Sequence, residues 1–407
     1  MSPITSSSSA AALVATSPKS IVIVGGGIIG VCTAYYTAIS PHFQAARGDK
    51  ITLVEATEVA SAASGKAGGL LALDWHGQAT ASISALSYKL HADLAAEHGG
   101  EKWGYRTVDT LSVTTDLTER TKRKSPIDWL PEGTVHHSRP LGSQKTTAQV
   151  HPQLFTRELF RMFLERPGTG VVYGSAAGVA LEGEQAAKKL KVLNRESGEP
   201  SEIPFTHLVL SAGPWTGTLS KTLFPPASSS LWSSSSKKLN TNAKPLELAI
   251  SGSRAHSIVL KTDRKLTAHA LFTDMTLQDG DMAEPEVYAR PDGTVYICGA
   301  SDNEPLPKLA SQVKPDPFSI KLLHTQASAL TPEFSSEKSQ TIAEQACFLP
   351  ISDRGRPLIG PTALPGVFVA SGHSCWGITQ GPGTGLVMSE ILLEGKAKSA
   401  DVGKLLP

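Results

Sequence analysis

The chain reads as a mixed α/β fold, with a Rossmann-like dinucleotide-binding unit joined to a β-rich second domain, each assembled from discontinuous segments. Three observations predict this. The β-branched run Ile21-Val22-Ile23-Val24 meets the glycine turn Gly25-Gly26-Gly27-Ile28-Ile29-Gly30, and a second apolar run, Ile51-Thr52-Leu53-Val54, closes on Glu55. Strand–turn–helix patterns recur in the middle and at the end of the chain. Between them lies a stretch of alternating strand-like segments.

The first unit carries its own chemistry. Gly25 permits the tight turn after the strand, Gly27 lets the backbone approach a pyrophosphate, and Gly30 lets the helix pack against the sheet. The helix N-terminus offers free N–H groups and a positive dipole end to phosphates. Glu55 can accept hydrogen bonds from ribose hydroxyls. It lies slightly beyond the roughly 20-residue spacing usual for such units, and Ser40 to Asp49 absorb the extra length as a long helix-to-strand connection.

The remaining elements follow in order. Residues 31–38 continue the first helix, and the small-residue run Ala60 to Leu71 suits a loop lying against a ligand rather than a packed core. Ile83, Leu86, Leu90 and Leu94 predict an amphipathic helix over 82–99. A strand is expected over 103–115, and a helix over 151–165 with Pro152 in its first turn. Residues 177–181 and 189–193 read as a hairpin, and His207 to Leu210 as a strand running into the turn Ser211-Ala212-Gly213-Pro214-Trp215. The strands expected at 257–260, 270–274, 286–290 and 295–299 include a hairpin around Pro291-Asp292-Gly293. Helices over 319–330 and from about Gly383 to Leu393 flank a strand at 367–370.

Composition bounds function. With 38 Lys and Arg against 37 Asp and Glu, no charge bias points to nucleic acid or a membrane surface. Residues 20–39 are apolar, but three consecutive glycines fit a membrane span poorly, and the Ser- and Ala-rich residues 1–18 lack the positive charge of a secretory leader. The four cysteines (Cys32, Cys298, Cys347, Cys375) are scattered and show no metal-ligand spacing, which suits a reducing, cytoplasmic setting and predicts no metal.

Four landmarks in order resemble the D-amino-acid-oxidase-like family of flavoproteins, which includes glycine and sarcosine oxidases, and most of all its fungal FAD-dependent oxidoreductases. They are the Gly25–Gly30 turn, the Ser61–Gly69 loop, Ala212-Gly213-Pro214-Trp215-Thr216, and Pro357-Leu358-Ile359-Gly360-Pro361 followed by Gly372 to Thr379. The resemblance implies an extended FAD. Gly25, Gly27, Ile28, Ile29 and Gly30 would meet its pyrophosphate, with Glu55 and Ala56 at the adenosine ribose. Ser61, Ser64, Lys66, Gly68, Gly69 and Leu70 would lie between pyrophosphate and isoalloxazine. Val179 would meet the adenine, with Ala212, Gly213 and Trp215 near the ADP moiety. Gly372, His373, Trp376, Gly377, Ile378 and Thr379 would approach the pyrimidine side of the flavin. By the same likeness, residues 19–80, 148–220 and 340–400 form the FAD-binding domain and 81–147 and 245–339 the substrate domain. Residues 1–18 are read as a disordered leader and 221–244 as a flexible Ser-rich insertion.

The chain departs from the family at two positions. Ile297 stands where sarcosine-oxidase-like members carry a lysine that assists oxygen, and Leu349 where many carry an arginine for a substrate carboxylate. Cys347 lies near the place where some members attach flavin covalently; non-covalent FAD is expected here. Tyr288, Arg290, Tyr296 and Trp376 are the candidate substrate contacts, with 288 and 290 on one strand face by alternation. Asp74, Trp75 and His76, which follow the flavin loop, are candidates to line the same cavity.

These residues predict an FAD-dependent oxidoreductase that dehydrogenates a C–N bond in a small amine or amino acid by hydride transfer to flavin N5. Oxygen or another acceptor regenerates the flavin. The alternatives are an FAD-binding scaffold with little turnover and an NAD-dependent dehydrogenase using the same fingerprint.

Overall fold

The computed structural model describes residues 17–181, 188–225 and 245–407. The leader therefore falls outside the described residues except for its last two, as does the insertion from residue 226 onward. Lys221–Leu223 belong instead to the helix Thr216–Leu223.

Ser20–Val24 is the pivot of an eight-stranded sheet. It pairs in parallel with Lys50–Glu55 on one side and His207–Leu210 on the other, Ile21 lying opposite Ile51 and His207. Thr169–Leu181 and Val367–Ser371 extend the parallel core, and antiparallel strands close both edges. Alternation then sorts the side chains. Ile21 and Ile23 face the helices Ile28–Ile39 and Gly377–Glu394, while Val22 and Val24 face Leu208, Leu210 and Leu248. Each such fully buried side chain contributes about 1.5–3 kcal/mol. A parallel sheet covered on both faces needs these near-continuous apolar runs.

The second sheet runs Ser339–Ser352, Ile250–Thr262, Thr294–Asp302, Glu286–Ala289, His269–Thr276, Asp109–Asp116 and Val135–Gly142. The helix Pro317–Leu330 covers one face, burying Ile258, Val287 and Ile297. The other face carries Val259, Ala270, Tyr288 and Tyr296 and packs against Leu70 of the flavin loop. A three-stranded sheet of Leu70–Ala72, Thr147–Gln149 and Arg106–Thr107 joins the two halves.

Several elements differ from the sequence expectation. The strand expected over 103–115 breaks into Arg106–Thr107 and Asp109–Asp116, which belong to different sheets. Ser339–Ser352 pairs along its length with Ile250–Thr262, so most of it belongs to the second sheet although the sequence boundary placed it with the first. The helix Ala81–His98 buries Ile83 and Leu94 in the first core, on the opposite side of its expected boundary.

The last helix begins at Gly377, not Gly383, and contains Pro382. Proline cannot donate to the carbonyl four residues back. His91 Nε2 donates to that carbonyl, Ile378 O, at 2.9 Å, and the Gly383 amide is taken by Ser87 Oγ at 2.8 Å. A neighbouring helix thus satisfies groups that the proline disturbs, and the helix continues through it.

Candidate active site

The site grows from the turn after the first strand. Gly25 adopts φ +118°, and a Cβ there would lie 2.3 Å from Ser211 O. A Cβ on Gly30 would lie 1.9 Å from Gly25 O, so the helix closes on its own entry turn only as glycine. The Gly25 amide is used by Val54 O at 2.8 Å. Glu55 ties the turn to the second strand: Oε2 accepts from Gly26 N at 2.7 Å, and Oε1 from Thr57 N at 2.7 Å and Thr57 Oγ1 at 2.9 Å. Oε2, with one donor, keeps the capacity to accept from a ribose hydroxyl.

Ser64, on the loop expected to lie over the cofactor, accepts from Ile28 N at 2.8 Å and so caps a helix far away in sequence. Thr57 Oγ1 and Ser61 Oγ share a hydrogen bond of 2.8 Å. The first-turn amides of Ile29 and Gly30 have no intrahelical acceptor by construction and point out of the helix end.

One continuous cleft joins these groups. Gly25, Gly27, Ile28 and Ile29 line it beside Glu55 and Ala56; Ser61 and Ser64 line its flank. Ala212, Gly213 and Trp215 form the opposite wall, and Gly377 and Ile378 the far end. Gly213 has φ +52° with open space where a Cβ would stand. The cleft therefore offers main-chain amides, small residues and the carboxylate of Glu55 beside the glycine turn, with Glu58 also in its lining, and these residues fit an extended FAD.

Other expected contacts stand elsewhere. Val179 is buried among Leu190 and Val192; on its strand the cleft is lined by Gly174, Ser175 and Ala176, which directly follow the residues paired with the strand ending at Glu55. Lys66 does not line the cleft; its ammonium donates to Ala346 O at 2.9 Å, and burial holds its pKa below the usual lysine value. Gly69, with φ +93°, abuts Val150 O, and Leu70 O accepts from Thr379 Oγ1 at 3.2 Å. Gly372 abuts Ser352, and His373 Nε2 shares a hydrogen bond of 3.0 Å with Thr384 Oγ1. Burial pushes His373 down to about 3, so it is a neutral buried imidazole.

The cleft meets the second sheet at Leu349 and Pro350, and the loop that lines it through Ala67 continues against that sheet's aromatic face. A Cβ on Gly68 would lie 2.3 Å from the Tyr288 ring. Tyr288 and Tyr296 stack with centroids 5.8 Å apart, and Arg290 lies 5.4 Å over Tyr296. Arg290 is buried and donates to Ala67 O at 3.1 Å, while its Nε has no partner. Trp376 packs on His76 at 4.5 Å and on Trp75 at 6.3 Å, and Trp75 packs on Phe272, which reaches Tyr288. Tyr288, Tyr296 and Arg290 thus stand against Ala67 and Gly68, Trp376 stands with Trp75 and His76, and none of the four lines the cleft itself. Asp74 is exposed beside this row.

Two departures resolve differently. Leu349 lines the cleft, as the resemblance implied for its position. Ile297 does not face it: the side chain is fully buried under the helix Pro317–Leu330, and its neighbours Tyr296 and Cys298 lie on the opposite face of the sheet. Cys347 is buried beside Lys66 but does not line the cleft, and burial raises its thiol to about 11.

Sequence reasoning missed Lys308, Leu309 and Ala310, which line the cleft from a loop held by Trp215 Nε1 donating to Pro307 O at 2.6 Å. It also missed Glu286, which accepts from the Tyr288 hydroxyl and, at 3.6 Å, from Cys298 Sγ. The alternation that places 288 and 290 on one face also places 286 there.

Comparisons agree with this geometry. Residues 20–391 match the DAO family, described as FAD dependent oxidoreductase. A Schizosaccharomyces pombe protein named "putative oxidoreductase" is 37% identical over 94% of this chain and 96% of its own length. A Saccharomyces cerevisiae protein with the same designation is 29% identical, covering 94% and 93%. Glycine oxidase from Geobacillus kaustophilus superposes with a TM-score of 0.71 at 17% identity, covering 96% of this chain and 98% of that one. L-proline dehydrogenase from P. horikoshii gives 0.70 at 15%, covering 96% and 97%. The cofactor is thus FAD rather than the nicotinamide of the alternative reading. The chain belongs to the DAO family of FAD-dependent oxidoreductases.

Proposed function

We propose that the protein dehydrogenates a C–N bond in a small amine or amino acid. The observation that carries this reading is that the loop lining the cleft through Ala67 abuts, at the next residue Gly68, the aromatic face of Tyr288 and Tyr296. Bound FAD supplies a two-electron acceptor. The substrate carbon gives up a hydride, the nitrogen lone pair forms the C=N bond, and an iminium leaves. Such a step needs orientation and a neutral amine more than a protein base. Tyr288, Tyr296 and Trp376 exclude water and orient the substrate. Main-chain N–H groups of Gly377 and Ile378, at the start of the last helix, line the cleft and would stabilise negative charge on a bound, reduced flavin. Proteins of the same fold named glycine oxidase, iminodiacetate oxidase and L-proline dehydrogenase support a C–N bond as the target.

We further propose that FAD is held non-covalently, since Cys347 resists ionisation and stands outside the cleft. Oxygen or another acceptor takes the electrons. The first sheet serves the cofactor and the second the substrate. Among the described residues no helix is long and apolar enough to cross a membrane. All four cysteines are free, which favours the cytoplasm.

Anaerobic mixing of the FAD-loaded protein with a panel of amines and amino acids tests the reaction. At least one class should bleach the flavin absorbance and yield the carbonyl product after hydrolysis. No bleaching across the panel, with the flavin still reducible by dithionite, would overturn it.

A further inference from the structure

Glu286, Tyr288 and Arg290 stand on one face of the strand Glu286–Ala289 and its hairpin, but they end in different surroundings. Arg290, at the inner end, is buried and its guanidinium is turned to the carbonyls of Ala67 and Gly68. Lys66 likewise donates to a main-chain carbonyl. Glu286, at the outer end, is half-buried, and two neutral donors, Tyr288 OH and Cys298 Sγ, reach its Oε2. Among the described residues no Lys, Arg or His lies within 4.0 Å of its carboxylate, and none donates to Oε1. It is a carboxylate without a cationic partner among the described residues, and it stands close enough to Cys375, which lines the cleft, to add to the rise that burial first causes in that thiol's pKa.

Around this anion runs a row of edge-to-face rings. Tyr288 meets Phe272 at 6.2 Å, Phe272 meets Trp75 at 5.5 Å, and Trp75 meets Trp376 at 6.3 Å. Ring faces attract a cation while shielding it from water, and a carboxylate supplies the counter-charge whose absence makes burying a cation costly. A substrate carboxylate meets the opposite conditions: Glu286 repels it, and Leu349 on the cleft wall offers it no charge. Nor is Arg290 turned to meet one: its guanidinium is directed at the carbonyls of Ala67 and Gly68.

We propose that the substrate is an alkylammonium compound without a carboxylate beside its nitrogen, held by Glu286 within the Trp75–Phe272–Tyr288–Trp376 row. This rests on the amine-dehydrogenase reading above and narrows its substrate class. Glu286 binds the protonated amine and accepts the proton that leaves nitrogen. The neutral amine would then give up a hydride from carbon to the bound FAD, so one proton and one hydride, two protons and two electrons in all, leave the alkylammonium as the iminium forms.

The test is a titration of the FAD-loaded protein with n-butylammonium and, separately, n-butyrate and glycine, following the visible spectrum of the oxidised flavin. Butylammonium should perturb the spectrum saturably, and Glu286→Gln, with flavin content unchanged, should weaken that binding at least tenfold. Tighter binding of butyrate or glycine, no response to butylammonium, or unchanged affinity in E286Q would overturn the inference. If E286Q does not hold FAD, the comparison of the three ligands on the wild-type protein decides alone. Failure of the broader reading looks different. There butylammonium binds and no compound bleaches the flavin, whereas failure of this inference alone leaves a protein that amino acids bleach.

Discussion

Ser64 does for the helix Ile28–Ile39 what Gly27, at the N-cap, has no side chain to do: its hydroxyl accepts from Ile28 N at 2.8 Å. The Ser61–Gly69 loop and the helix Ile28–Ile39 are therefore tied into one unit. Ser64→Ala should cost about 1 kcal/mol of stability and weaken FAD binding by about fivefold; urea denaturation and equilibrium dialysis of FAD read the two effects. A variant that loses stability but binds FAD unchanged would separate the cap from the site.

The buried histidines make a second prediction at this scale. Burial lowers His91 to about 4 and His373 to about 3, against an ordinary value near 6.5. Between those limits the unfolded chain binds protons that the native chain refuses, so stability falls as pH falls. The contribution is intact above pH 6.5 and is lost progressively toward the native values, with a slope approaching about 1.4 kcal/mol per pH unit for each histidine. Denaturation midpoints measured from pH 7 to 4.5 should show this decline, and His373→Gln should flatten it. An equal slope in that variant would contradict the assignment.

At the scale of elements, the loop carrying Lys308–Ala310 over the cleft hangs on a side chain from elsewhere, Trp215 donating to Pro307 O. Trp215→Phe keeps a ring in place and removes the donor. FAD should dissociate about three- to tenfold faster, as flavin fluorescence recovery would show, while helix content stays the same. An unchanged rate would mean that the loop is held by other contacts.

This scale also shows what was legible in the sequence. The Gly25–Gly30 turn, Glu55 and the hairpin at Pro291-Asp292-Gly293 act through neighbours close in sequence or through a single strand register, so spacing alone revealed them. The last helix did not reveal its start, because what lets it run through Pro382 is His91 and Ser87 on another helix. Ile297 was read from alignment to a family position, whereas the register of its strand, which only pairing shows, turns it toward the core. Glu286 was open to the same period-two argument as Tyr288, yet nothing in the sequence showed that the outer end of that strand would face rings from three other segments.

For the whole molecule, the cleft threads the first sheet, the flavin loop and the strand Ser339–Ser352 of the second sheet, so a bound FAD bridges both halves. A ligand that binds only the native state stabilises it by about 2.7 kcal/mol at a hundredfold excess over its dissociation constant. Thermal unfolding of FAD-depleted protein should therefore rise several degrees on adding FAD and not on adding NAD. Acid precipitation of the loaded protein should release all flavin to the supernatant if, as proposed, Cys347 is no attachment point; flavin retained in the pellet and lost in Cys347→Ala would contradict this. The most direct test is an experimental structure of the FAD-loaded protein. The account predicts the ribose at Glu55, the pyrophosphate over Gly27–Ile29 and the isoalloxazine between Gly377–Ile378 and the Tyr288 face. Clear density for FAD lying outside this cleft, or with the ring turned away from the second sheet, would contradict it.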